Sequence, residues 1–285
     1  MNKLDSLIRN LDEKKGTDIH QSIAEALETL GFKSECIIET DVEPDIIAKS
    51  YFPKYALVIE SSIHENKSVP SKKTVQIRQN GARHKHMLAE EGFRKVYYII
   101  IGKPYFSKKI EKVSDPDICL VTISELIDLI KTHQKYQFTL EDMESIFLNP
   151  GKASNQITYI FNKYKKPYLI CGFLLDEINE KLKITQKISI NELKTAVKLL
   201  FNLLLTNYTI NDTEIEESIL LLTNNMVNLF SIQIEGNIHF LIRKGHEMEL
   251  HLPRILGNTG ERIIEAYQYC KELKSKIKDQ EKKDF

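Results

Sequence analysis

The stretch "KVYYIIIG", Lys95 to Gly102, is an unbroken apolar run. A strand that is apolar on both faces has to be covered on both faces, as happens to the central strand of a parallel or mixed sheet packed between helices. This run predicts an α/β core. Its neighbours agree. Upstream, "TDIHQSIAEALETLGF" places Ile19, Ile23, Ala24, Leu27 and Leu30 at helical spacing and stops at Gly31. The stretches "ECIIET", "DIIAKSY" and "YALVIESSI" then read as strands, the last two joined through Pro53 and Lys54 as antiparallel neighbours.

After the polar connector "HENKSVPS", the basic stretch "KKTVQIRQNGARHKHMLAEEG" has Val75, Ile77, Ala82 and Met87 at spacings that suit a helix weakened at Gly81. "ICLVTI" reads as a further strand. A helix over 123 to 132 follows, opened by the capping box Thr122 and Glu125. "TLEDMESIFLN" adds one more helix, and Pro150 and Gly151 break the pattern.

The 285 residues leave room for two domains. The expected division is residues 1–150, an α/β domain with a central mixed sheet flanked by helices, and residues 151–285, a mostly helical domain. In the second part, helices over 155–182 and 189–205 (capped by Ser189 and Glu192) and "TEIEESILLLTNN" precede a hairpin turning at Glu235, Gly236 and Asn237. Helices followed by a two-stranded wing predict a winged-helix-like domain, suited to DNA recognition or dimerisation, and "TGERIIEAYQYCKELKSKIK" closes it as an amphipathic helix.

Composition narrows the function classes. Cys36, Cys119, Cys171 and Cys270 form no CxxC pair, so buried free thiols are expected rather than a zinc site or a disulfide framework. The longest apolar runs fall short of the roughly 18 residues of a membrane span, and the first residues show no hydrophobic signal core, which predicts a cytoplasmic protein with no membrane partner. A formal net charge of zero argues against a generally polyanion-binding surface. Locally, Lys72, Lys73, Arg78, Arg83, Lys85, Arg94 and Lys95 outnumber Glu90 and Glu91.

Two acids stand out against this background. Asp45 opens one apolar run, and Glu60 sits inside the next, fifteen positions on. Carboxylates are poor strand formers and are rarely buried unless paired or bound to a metal. Joining the two strands by a short turn places the start of one beside the end of the other. The two side chains then meet at a sheet edge and offer a hard-cation site of the kind that suits Mg²⁺. Pro116-Asp117 has no such partner and reads as a turn.

These residues resemble the PD-(D/E)XK nucleases, in which Pro-Asp on one strand and Glu-X-Lys on the next follow an amphipathic helix. Here the counterparts are Pro44-Asp45 and Glu60-Ser61-Ser62. The stretches "YYIIIGKPYFSKKI" and "CLVTISELIDLIKTHQKYQFTLEDMESIFLNPG" are similar to the end of the cleavage domains of type IIS restriction endonucleases, the FokI-like group and related nicking-enzyme subunits, so that the resemblance covers about residues 15 to 150. It implies a Mg²⁺-dependent endonuclease of a restriction system acting on double-stranded DNA, with Asp45 and Glu60 holding the metal.

One such domain cuts one strand, which implies a homodimer or a heterodimer with a second nuclease subunit. Ser62 stands where the family usually has Lys. Some relatives carry Glu-X-Ser there with a His on the next helix, and His84 resembles that residue. Gln76, Lys72 and Lys73 are further candidates to cover the lost function, and His20, with Asp18 beside it, sits where relatives often carry a helix acid near the metal. Lys72, Lys73, Arg78, Arg83 and Lys85 would meet the DNA backbone. Two alternatives stay open: a catalytically degenerate nuclease-fold subunit, and a winged-helix DNA-binding regulator.

Overall fold

The computed structural model describes residues 3–13, 18–37, 43–63, 72–103, 118–148, 151–181, 183–184, 188–205, 208–224, 227, 230–232, 237–240 and 246–281. Pro116-Asp117, the hairpin-turn residues Glu235 and Gly236 and the side chain of Lys72 lie outside the described residues. The chain divides into two compact units, Met1–Phe161 and Asn162–Phe285.

In the first unit, the helices α1 (Lys3–Glu13) and α2 (Asp18–Thr29) lead into strands β1 (Lys33–Cys36), β2 (Ile46–Tyr51) and β3 (Lys54–Ile63). Then come α3 (Lys72–Glu90), β4 (Lys95–Lys103), β5 (Ile118–Thr122), α4 (Ile123–Tyr136), α5 (Leu140–Phe147) and β6 (Gly151–Lys152). The strands form one sheet in the order β1-β2-β3-β4-β5-β6. The pairs β1–β2 and β2–β3 are antiparallel, and the remaining three pairs are parallel. This is the expected mixed sheet flanked by helices.

The unbroken run in β4 has the predicted cause. On one face, Tyr98 and Ile100 pack with Ile77 of α3, Ile118 and Leu120. Leu88 of α3 covers Ile47, Ala56 and Val58 on that same face. On the other face the Tyr55 hydroxyl donates to Leu140 O (2.8 Å) and the Tyr97 hydroxyl to Glu144 Oε1 (2.7 Å), which docks α5 there.

Gly81 is no weak point of α3. A Cβ on it would stand 2.1 Å from the Tyr98 ring, so the missing side chain is what lets α3 approach β4. Capping boxes at Thr122/Glu125 and Thr139/Asp142 start α4 and α5, each worth about 1 kcal/mol. Gly151 and Lys152, at the expected domain boundary, pair with Cys119 and Leu120, and Ala153 N donates to Leu120 O (3.0 Å).

The second unit takes most of α6 (Ser154–Lys181), followed by β7 (Ile188–Ser189), α7 (Ile190–Leu204), α8 (Asp212–Thr223), β8 (Phe230–Ile232), β9 (Asn237–Phe240), α9 (His246–Leu256) and α10 (Asn258–Glu281). The expected two-stranded hairpin exists, with Ile232 opposite Ile238, and gains β7 as a third strand in the order β7-β9-β8. One core, including Phe173, Phe201, Phe230, Leu252 and Tyr267, joins its helices to this small sheet. At Gly172 of α6 a Cβ would lie 2.5 Å from the Ala266 carbonyl carbon, so α10 crosses α6 backbone to backbone. Cys119, Cys171 and Cys270 are buried free thiols and Cys36 is half-buried.

Candidate active site

Register places the two acids. Ile46 of β2 pairs with Ile59 of β3, and one step further along the same antiparallel ladder sets Asp45 opposite Glu60. Alternation on a strand puts Glu60 and Ser62 on the face of Ala56 and Val58, which is the face that α3 covers. Glu60 is fully buried, at 0 % exposure. Asp45, just ahead of β2, accepts at Oδ2 from Ser61 N (2.6 Å) and Ser61 Oγ (3.1 Å).

The positive charge comes from α3. Lys73 Nζ donates to Glu60 Oε2 at 2.8 Å and lies 3.9 Å from Asp45 Oδ2. Its side chain is 16 % exposed. Asn80, two turns further along α3, donates from Nδ2 to Glu60 Oε1 (2.8 Å) and to Glu43 O (3.0 Å). Burial holds the Glu60 carboxyl above the usual carboxylate range, and Asp45 adds to this, while Lys73 and Asn80 pull in the opposite direction.

The remaining candidates divide. His20 of α2 reaches the cluster, with Nε2 3.8 Å from Asp45 Oδ2. Ser62 Oγ, two residues along β3 from Glu60 on the same face, is buried and has no hydrogen-bond partner among the described residues. His84 faces elsewhere: its Nδ1 meets Asn80 O at 3.0 Å and its Nε2 meets Glu43 Oε2 at 2.9 Å. Gln76 is half-buried on α3, and Arg78, Arg83 and Lys85 are exposed on it. Among the described residues, no three His, Cys, Asp or Glu side chains converge as a ready metal cage.

Against known proteins the chain stands apart. No protein-family model and no curated protein matches it. Two solved structures of restriction endonuclease FokI overlap about half of it. One matches 52 % of this chain and 30 % of its own at 13 % identity and a TM-score of 0.40. The other, FokI bound to DNA, matches 53 % and 34 % at 12 % identity and a TM-score of 0.32. The chain therefore spans about a third of the FokI chains, and an overlap this loose transfers no residue roles. Lys73 and the acids must be judged on their own geometry.

Sequence reasoning missed Asn80, Ser61 and Glu43. A signal for Asn80 was present: Lys73, Ile77, Asn80, Gly81, His84 and Leu88 recur at helical spacing. An apolar stripe interrupted by Lys, Asn and His marks a helix face turned toward buried acids. No helix among the described residues is long and apolar enough to cross a membrane.

Proposed function

We propose that the first unit is a metal-dependent nuclease centre in which Asp45 and Glu60 hold a divalent cation and Lys73 supplies the ammonium that the strand motif lacks at Ser62. The observation that carries this reading is one lysine reaching two carboxylates, 2.8 Å from Glu60 and 3.9 Å from Asp45. A lysine charge opposite two acids leaves one negative charge over, while the upward pull on the Glu60 carboxyl comes first from its burial, with Asp45 adding to it. Oxygen donors with a surplus of negative charge suit Mg²⁺, with water and a substrate phosphate completing its shell. Bound there, the ion would polarise a phosphodiester and make water a better nucleophile.

The chain's own groups do the positioning. Lys73, held by Glu60, presents N–H donors beside both acids, where they orient an attacking water and neutralise a non-bridging phosphate oxygen. Ser62 Oγ, buried without a partner, is a second donor for that phosphate. His20 steadies Asp45 from α2. Hydrolysis adds the water oxygen to phosphorus and releases one ester oxygen.

Double-stranded DNA is the proposed substrate, with exposed Arg78, Arg83 and Lys85 against its backbone and a restriction system in the cytoplasm as the setting. A single centre cuts one strand, so the working form is a homodimer or a pairing with a second nuclease subunit. The second unit is read as a winged helix. Its α8 carries no basic residue, and its Asp212, Glu214 and Glu216 pair with Lys198, Lys166 and Lys194, so it offers phosphate no cation of its own. DNA affinity is therefore assigned to α3. Plasmid incubated with Mg²⁺ or Mn²⁺ tests the reading: the unmutated chain nicks or cuts it, and Asp45→Asn and Glu60→Gln each abolish cleavage with an unchanged far-UV spectrum. Cleavage retained by either variant defeats it, and an inert unmutated chain favours the degenerate-subunit alternative.

A further inference from the structure

His84 has a different place from the one the family resemblance implies, and Asn80 stands with it. We infer that Asn80, with His84 and Glu43 behind it, is a positioning device that sets the spacing of Asp45 and Glu60, so that the cation site is formed before the cation arrives. The inference rests on reading the acid pair as a cation site.

The geometry is a closed ring. The two hydrogens of Asn80 Nδ2 go to Glu60 Oε1 and to the Glu43 carbonyl, at 2.8 and 3.0 Å. One turn along α3, His84 meets Asn80 O through Nδ1 (3.0 Å) and the Glu43 carboxylate through Nε2 (2.9 Å). Glu43 is thus gripped by α3 at its backbone and at its side chain. Only Pro44 separates it from Asp45, and the pyrrolidine ring fixes its own φ and restricts the residue before it. Holding Glu43 therefore fixes the direction in which Asp45 leaves.

Asn80 is 3 % exposed, and an amide buried without partners is costly, so its side chain is committed to these two bonds. One helix then sets both acids: Glu60 directly, Asp45 through Glu43 and Pro44. Among the described residues no hydrogen bond or ion pair runs from His84 to Asp45 or Glu60. His84 acts behind the site.

Mn²⁺ binding to the full chain, followed by the loss of the free-ion electron paramagnetic resonance signal, separates positioning from simple stability. Asn80→Ala, His84→Ala and Glu43→Ala are expected to weaken Mn²⁺ by about tenfold, the loss typical of removing a partner that orients a ligand. Cleavage should fall at low Mn²⁺ and recover at high Mn²⁺, with KM for DNA unchanged. Glu43→Gln, whose amide oxygen still accepts from His84, should retain near-native binding. The double variant Glu43→Ala/His84→Ala should be no weaker than either single one, because both cut the same link.

Native Mn²⁺ affinity in folded Asn80→Ala or Glu43→Ala overturns the inference. Should Asn80→Ala fail to fold, Glu43→Ala, at a side chain 42 % exposed, decides alone. An unmutated chain that binds no Mn²⁺ overturns the cation-site reading itself, and this inference with it. That outcome is distinct, because it appears before any variant is made.

Discussion

Lys73→Met removes one charge and keeps the stem, so its effects on rate and on stability can be worked separately. The lost ammonium is 2.8 Å from a fully buried carboxylate. Breaking a buried pair by deleting one partner costs roughly 3–5 kcal/mol when the remaining charge has no escape. Glu60 has one: it can take a proton. A Glu with the ordinary pKa of ~4.3 costs about 3.7 kcal/mol to protonate at pH 7, at about 1.4 kcal/mol per pH unit. Burial already holds Glu60 above that range, so the penalty is smaller. A loss of about 2–3 kcal/mol, lowering Tm by roughly 2–4 °C per kcal/mol in a unit of this size, is expected at pH 7.

The rate should fall further, by about a hundredfold to a thousandfold, as for removal of one preorganised donor to a developing charge. Lowering the pH toward 5 should recover Tm in Lys73→Met, because the carboxyl then protonates at less cost, but should not recover cleavage. Returning the lysine to the strand, as Ser62→Lys/Lys73→Ala, should restore part of the rate, since Ser62 shares the Glu60 face. The assays are plasmid relaxation with Mn²⁺ and a thermal melt. Full cleavage by Lys73→Met, in a protein whose Glu60→Gln variant is dead, would refute the reasoning.

Gly81→Ala drives a methyl into the Tyr98 ring, 2.1 Å away, and should cost about 1–3 kcal/mol in a melt while displacing Lys73 and Asn80 enough to depress Mn²⁺ binding; an unchanged melt would show that α3 does not depend on this contact. The Cys36 thiol is held above its usual range by burial first and by the Asp45 charge next, so Asp45→Asn should enlarge the thiolate fraction and speed alkylation at pH 8 by about two- to fivefold, read by mass spectrometry. Cys119 and Cys171, whose thiols burial pushes up to about 12, should stay unmodified under the same conditions. The Ala153 amide, bonded to Leu120 O, should exchange with deuterium at the slow rate of β5, and rapid exchange there would show that Gly151 and Lys152 are an exposed link rather than a strand of the sheet.

The sheet was legible wherever periodicity and burial coincide. "KVYYIIIG" announced a doubly covered strand, and the capping boxes at Thr122 and Ser189 marked helix starts that the structure keeps. Three elements were not legible. The strands β6 and β7 are two residues long, too short to carry a period, and exist because neighbours supply their hydrogen bonds. The helix α9 contains Pro253, a residue type that disfavours a helix interior, and packs Met248 and Leu252 into the core.

The site divides along the same physical line. Asp45 and Glu60 could be paired from sequence because a short antiparallel turn fixes register, and register fixes which side chains meet. The lysine could not be placed that way. Lys73 arrives on a helix packed over the sheet, and no pattern in the connector before it says which turn of α3 will sit above Glu60. That placement is set by packing: Gly81 against Tyr98, Ile77 and Leu88 into the face of β3 and β4. Chemistry, in contrast, asks only that an ammonium lie within reach of the acids, and a flexible four-carbon stem can reach them from a strand or from a helix above it. A motif written as consecutive residues on one strand records one solution to that requirement. On the proposed reading, Ser62 leaves the strand position open, and the α3 face of Lys73, Asn80 and His84 carries the charge, the aim and the support in its place.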